Sequence, residues 1–471
     1  MPLILGTNSI KDSTFSVANS CRFNDDDSPS MTKASTTVTN DKKFTISAWC
    51  KRCNMGDGSG NEFGIFGHRS NSNNGNSNLQ FGFYQDHIYC AFVSNNGSDV
   101  HINKVSDALY QDPTAWYHVM LAVDTTQGTA ANRNRIYVNG TEVTSFSTDT
   151  NAPSDRTFLN NACNIDVGRY TNTGGSHFEF DGYLAEVVYI DGSQLTPTSF
   201  GEFNEDSPTI WQPKDVSGLT FGNNGFYLDF EDSSNLGNDA NGGTDLTESN
   251  LAATDQTTDT CTNNFATLNS IVNYNSGVFT EGNLAITFGD DTIATIGLTR
   301  GRWYWEAQRT NSTNEAHFGI GVSNGFYSAT SVVSDGDRLY VRGGSSNFNT
   351  ASNLSILTFG SNSGTPASFA SGDVLGFYLD LESSTKNIII KKNDGATPLV
   401  NVDLTYSGEE PIFPYCRMNS GCASSWNFGN PIGSLSSANA DANGFGSFEF
   451  SPTLSGVNYF AICTKNLAEH G

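Results

Sequence analysis

The chain is 471 residues long, more than one hydrophobic core usually serves, so two or three domains are expected. Its 49 acidic against 24 basic residues leave a formal net charge of −25, and basic runs stop at pairs such as Lys42-Lys43, Lys51-Arg52 and Lys391-Lys392. That balance excludes the basic stripe a phosphate backbone requires, so neither nucleic acid nor an anionic lipid surface is an expected partner.

Charged residues make up only 15% of the chain while glycine reaches 47 residues, so Asn, Ser, Thr and Gly must wet most of the surface. Aromatic residues, at 12%, suffice to fill several β cores. No stretch approaches the roughly 18 apolar residues that span a bilayer, and membrane insertion is not expected. Met1-Pro-Leu-Ile-Leu-Gly6 has an apolar start without a basic leader, so synthesis in a cytoplasm without a signal peptide is the expectation. Nine scattered cysteines read as small buried hydrophobes rather than a disulfide framework.

In chain order, strand follows strand from Phe15 to about Phe203. Phe44 to Cys50 alternates with a period of two, and Leu79 to Val93 carries two runs parted by Gln85-Asp86. Trp116 to Val123 is nearly continuous apolar text, which predicts a central strand covered on both faces. Ile136 to Gly140 runs into an Asn-Gly hairpin turn, Phe180 to Ile190 closes the unit, and Thr196 to Phe203 suits one helical turn. Trp211 to Lys214 marks a boundary and Gly225 to Phe230 a further strand. Ser233 to Asn264, rich in Asn, Asp, Thr, Gly and Ser, reads as a surface linker. Ser371 to Gly395 then shows the same grammar at its clearest. Val374 to Leu381 alternates, Glu382 to Lys386 bends, Ile388 to Ile390 forms a second run, and Asp394-Gly395 supplies a tight turn. The whole is all-β.

Within the first block, the order SVANSCRFNDDDSP, FTISAWCKR, WYHVMLAVDTT, RIYVNGTEV and FDGYLAEVVYIDGSQLTPTSFGEF resembles a laminin-G-like, concanavalin A-type lectin domain over roughly residues 14 to 210. It is similar to the variety that recurs in structural and fibre proteins of marine bacteriophages. A second block, Phe265 to Asn430, resembles a SPRY domain through Gly301 to Glu306, Phe318 to Ser323, Ser371 to Ile390, Pro411 to Tyr415 and Trp426 to Gly429. These resemblances imply two concanavalin A-like antiparallel β-sandwiches of jelly-roll type. The expected division is a lectin-like domain over 1–232, a linker over 233–264, a SPRY-like sandwich over 265–430 and a C-terminal extension over 431–471. The extension carries Phe445 to Phe450 and Tyr459 to Cys463, which suit a last strand or a subunit contact.

Glycan hydrolases of this class place two or three carboxylates on one strand as Glu-x-Asp-x-Glu, or with one more residue where a bulge intervenes. The nearest text is Glu179-Phe-Asp181, but Tyr183 and Leu184 stand where the second Glu belongs, and Glu186 comes late with the wrong parity. Asp229 with Glu231, and Asp380 with Glu382, read as polar outer faces. Cys50-x-x-Cys53 with His68 lacks the second pair zinc demands. Asp25-Asp26-Asp27 is where a structural calcium ion would sit, although consecutive Asp residues also make turns, and Asp57 to Glu62 is a poorer calcium loop. His118 reads as a core residue, and Trp303 with Trp305 as core rather than a sugar platform. The Asn96 sequon has no meaning without secretion. No nucleophile elbow, phosphate loop or zinc-protease helix occurs.

No catalytic residue and no cofactor is therefore assigned. The strand-and-loop grammar predicts a non-enzymatic binding protein. The resemblance implies a virion surface protein, a tail fibre or capsid-decorating fibre, that meets host-surface glycans or other virion proteins, as a homotrimer by analogy. The alternatives are a polysaccharide depolymerase and an assembly protein that binds no sugar.

Overall fold

The computed structural model describes residues 15–55, 62–70, 77–94, 97–158, 163–172, 174–272, 277–312, 314–322, 337–343, 348–351, 356–408 and 410–471. Period-two alternation decides the architecture. Along the strand Lys43–Arg52, Phe44, Ile46, Ala48 and Cys50 enter one core while Trp49 joins a separate cluster on the opposite face. The chain divides into two units, Ser13–Thr262 and Asn263–Gly471, and each follows this rule.

In the first unit two eight-stranded sheets enclose the core. One runs Thr141–Glu142, Asn134–Val138, Trp116–Asp124, Lys43–Arg52, Gly182–Asp191, Ser20–Phe23, Gln256–Thr257, with Phe226–Leu228 also paired to Gly182–Asp191. The other runs Phe146–Thr150, Asp99–Leu109, His87–Ser94, Asn78–Tyr84, Glu62–Ser70, Cys163–Val167, Ser30–Ala34, Thr247–Ser249. All these pairings are antiparallel, and the expected turns hold: Gln85 and Asp86 take φ of 48° and 65°, Asn139 and Gly140 of 47° and 76°. Pro197–Ser199 is the single helical turn read from Thr196 to Phe203.

The linker expectation is corrected. Residues 233–262 belong to the first unit: Leu236 and Leu246 enter its core, and Thr247–Ser249 and Gln256–Thr257 extend its two sheets. Their polar text hid this because two leucines carry the burial while side-chain-to-backbone bonds hold the rest. Asp239 Oδ1, for example, accepts from the Tyr227 amide at 3.0 Å. Trp211 likewise marks no boundary, since Trp211–Pro213 pairs with Gly201–Phe203 inside the unit.

The second unit has one twelve-stranded sheet folded around a core that holds Trp303, Trp305, Phe318, Phe377 and Trp426. Its hinge is the 16-residue strand Ile412–Asn427, which pairs with three others, Ala285–Ile293, Arg302–Ser312 and Ala316–Val322. Val374–Asp380 and Lys386–Lys392 form the expected antiparallel pair. The turn after them places positive φ at Asn393 and Asp394, 49° each, one residue earlier than the Asp-Gly reading. The C-terminal stretch folds onto this unit. Ala461 pairs in parallel with Tyr304, Phe448 and Tyr459 pack beside Tyr304 and Tyr378, and Thr464–His470 forms a short helix.

Candidate functional site

On the first unit, the sheet face turned away from the core is sealed by the chain's own later residues. Phe200, Val216 and Phe221 pack on Met120, Ala122, Val188 and Ile190, while Trp211 packs with Trp49 and Ala185. The fit around Trp211 is tight enough to demand glycine: a Cβ at Gly140 or Gly201 would stand 2.4 or 2.6 Å from its ring. Beneath the seal, Lys51 Nζ meets Asp259 Oδ2 at 2.8 Å with both side chains 0% exposed, and Trp116 Nε1 donates to Asp259 Oδ1 at 3.2 Å.

Glu186 lies on this face too. A β-bulge between Ala185 and Val188 gives it φ of 50° and resets the alternation, so parity counted along the sequence misplaces it. It is buried, and Tyr227 Oη donates to its Oε2 at 2.7 Å. Burial, reinforced by the nearby charges of Asp229, Glu231 and Asp215, pushes its carboxyl up to about 8 despite the Tyr227 bond. Glu179 and Asp181 are not strand neighbours. Glu179 ends His177–Glu179, which pairs with Arg169–Thr171, and the chain enters the other sheet at Gly182. The Glu-x-Asp arrangement therefore never forms on one face.

The remaining sequence candidates have structural roles. Cys50 and Cys53 are buried, and burial pushes the Cys50 thiol up to about 12 and that of Cys53 well above its usual range. His68 lies in the other sheet, opposite Leu79 and Ile165, and burial holds it down to about 4. His118 bonds Ser47 Oγ through Nε2 at 2.8 Å, and burial holds it down to about 3. Asp25–Asp27 forms a 3-10 turn pinned by Asn250 Nδ2 on the Asp27 carbonyl at 2.8 Å. Asp380 accepts from Arg302 and from the Glu382 and Ser383 amides, which holds its carboxyl below the usual range against burial. Trp303 and Trp305 are core. Among the described residues no group of three or more His, Cys, Asp or Glu is placed to hold a metal. Asp57 to Asn61 and Asn96 lie outside the described residues.

The second unit covers part of its outward face, where Phe448 and Tyr459 pack on Tyr304 and Tyr378, and leaves the rest open. A cleft of about 800 Å³ lies over two rungs of the sheet. In one rung Ser425, Gln308 and Val374 stand side by side across three strands; in the next, Asn427, Glu306 and Gly376 do so. Residues 431–436 with Glu449 and Phe450 form one side of the lining, to which Glu281, Thr310, Gly372 and Asn393 also contribute. Glu306 ties that C-terminal stretch to the floor. Its carboxylate accepts from Tyr304 Oη at 2.8 Å, Asn427 Nδ2 at 3.1 Å, and the Glu449 and Phe450 amides at 3.0 and 2.8 Å. Burial raises its pKa and these four bonds oppose the rise. Glu449 in turn holds Ser436 through both its amide and its hydroxyl. Gln308 Nε2 donates to the Gly372 carbonyl at 3.0 Å, which turns the amide along the cleft.

Sequence reasoning missed this site, although a signal existed. If Trp303 and Trp305 are core, then Tyr304, Glu306, Gln308 and Thr310 share the opposite face.

A family model described as the concanavalin A-like lectin/glucanases superfamily matches residues 25–198, and the paired antiparallel sheets of the first unit have that fold. No curated protein sequence matches the chain. Similar solved structures include the SPRY domain of human HERC1, 15% identical with a TM-score of 0.23, over 30% of this chain and 87% of that one. The PSpry domain of TRIM65 is 12% identical with a TM-score of 0.25, over 34% of this chain and 91% of that one. Mouse laminin α1 domains LG4-5 are 11% identical with a TM-score of 0.29, over 97% of this chain and 89% of that one.

Proposed function

We propose that this chain is a non-enzymatic recognition protein that holds a glycan in the cleft of its second unit. The observation that carries the reading is the cleft floor, where Ser425, Gln308 and Val374 form a polar-to-apolar row suited to the hydroxyl edge and C–H face of a sugar ring. The setting we propose is the surface of a bacteriophage virion, in a tail fibre or capsid-decorating fibre that contacts other virion proteins as a homotrimer. That part rests on the resemblance of residues 14 to 210 and on a surface poor in charge.

A hydrolytic reading draws on one feature, the three glutamates Glu281, Glu306 and Glu449 in one cleft. Against it, four donors already surround Glu306 and Ser436 engages Glu449, leaving neither poised to attack or protonate a glycosidic bond. Incubation of the purified chain with host polysaccharide decides between them: retention without chain shortening is expected, and depolymerisation would overturn the proposal. Labelled virions imaged at low resolution test the setting. Stable incorporation with no glycan retained would instead favour an assembly role.

A further inference from the structure

We infer that the cleft of the second unit selects glycans bearing no acidic groups. The inference deepens the glycan-binding reading and rests on it. Three carboxylates, Glu281, Glu306 and Glu449, line the cleft, and among the described residues none that lines it is Lys, Arg or His. The nearest cation along the rung, Lys391 opposite Gly376, is already tied to Asp394 at 2.5 Å, so a uronate, sulfate or phosphate in this space would meet like charge first, and such contacts act mainly as a filter against wrong partners.

The polar groups left over also favour hydroxyls. Glu306 is satisfied by its four donors, and Asn427 spends its amide on Glu306, the Ser447 carbonyl and the Gly429 amide. Gln308 spends its Nε2 on Gly372, so its Oε1 remains as an acceptor beside the hydroxyls of Ser425 and Thr310. Acceptors and hydroxyls match the O–H groups of a neutral sugar, while the side-chain amide donors of Gln308, Asn427 and Asn393 are spent on Gly372, on Glu306 and Ser447, and on Asp373. Val374 and Phe450 supply the apolar wall against which a ring's C–H face can lie.

The test uses the full chain with immobilised maltodextrin as the neutral probe and alginate oligosaccharides as the acidic one, at one ionic strength. Retention of maltodextrin but not alginate is expected. Gln308→Arg, which keeps a donor for the Gly372 carbonyl and adds a cation, is expected to raise alginate retention on the order of tenfold. Thr310→Trp, at an exposed cleft position, is expected to abolish retention of maltodextrin while leaving the melting temperature unchanged. Alginate retained by the unaltered chain and lost in Thr310→Trp would overturn the selectivity and spare the site. Silence toward both probes, or retention that Thr310→Trp does not touch, would overturn the glycan reading itself.

Discussion

The two units solve one problem differently. Each has a sheet with an outward face that its own core cannot cover, and in each the chain that follows returns to that face. In the first unit the return is apolar, with Phe200, Trp211, Val216 and Phe221 closing over a buried ion pair and a buried acid. In the second the apolar return stops short: Phe448 and Tyr459 cover Tyr304 and Tyr378, and beyond them Glu306 holds the Glu449 and Phe450 amides and leaves Gln308, Thr310 and Ser425 open. The difference lies in the returning segment rather than the strands, which separates a face that supports stability from one that can receive a ligand.

If the first face is purely structural, its ion pair should dominate the unit's mutational sensitivity. Lys51→Met leaves Asp259 buried without its cation, and urea titration should show a loss of about 3–5 kcal/mol. The double variant Lys51→Met/Asp259→Leu should recover most of it; a double loss equal to the sum of the singles would contradict a coupled pair. Trp211→Ala comes next. It empties the space between Gly140 and Gly201 and should cost about 3 kcal/mol, seen as a lowered unfolding midpoint.

Much of this architecture was legible in the sequence because period-two alternation survives wherever a strand has one core face. Phe44 to Cys50 and Val374 to Leu381 read correctly for that reason, and Trp116 to Val123 because a strand covered on both faces is apolar throughout. Three things were not legible. The bulge at Glu186 adds one residue to a strand whose apolar text resumes at once with Val187, so a single Glu is the one mark of the change of face. Residues 233–262 are held by carboxylate and amide bonds to backbone, which a linker composition supplies equally well. The cleft joins strands to residues 431–450 that are far away in sequence, and the single carboxylate making that join resembles any other alternating Glu.

Glu186 offers the next sharpening of the comparison, through pH. Its folded-state pKa, about 8, lies above the unfolded value near 4.5, so the folded state holds the proton more tightly. The stability this contributes is fully present below about pH 4.5 and is lost as pH rises through 8, at up to about 1.4 kcal/mol per pH unit. Glu186→Gln mimics the protonated form and still accepts from Tyr227. Melting curves should show the variant and the parent alike at pH 5 and the variant the more stable at pH 9. Equal stability at both would mean the acid is already solvated and the face is not sealed.

Phe450 probes the opposite case with the smallest effect. Its amide is fixed by Glu306 and its ring is half-buried at the cleft wall, so truncation leaves the anchor bond in place. Phe450→Ala should therefore cost little stability, under about 1 kcal/mol, since the fully buried neighbours Phe448 and Tyr304 keep the C-terminal stretch packed. Maltodextrin retention should fall by several-fold to about tenfold, the scale of one aromatic contact with a ring face. A stability loss as large as that of Trp211→Ala, with retention unchanged, would make the ring a plug like its counterpart in the first unit. The two faces would then differ in degree only, and an open floor of Gln308, Thr310 and Ser425 would lose its apolar wall.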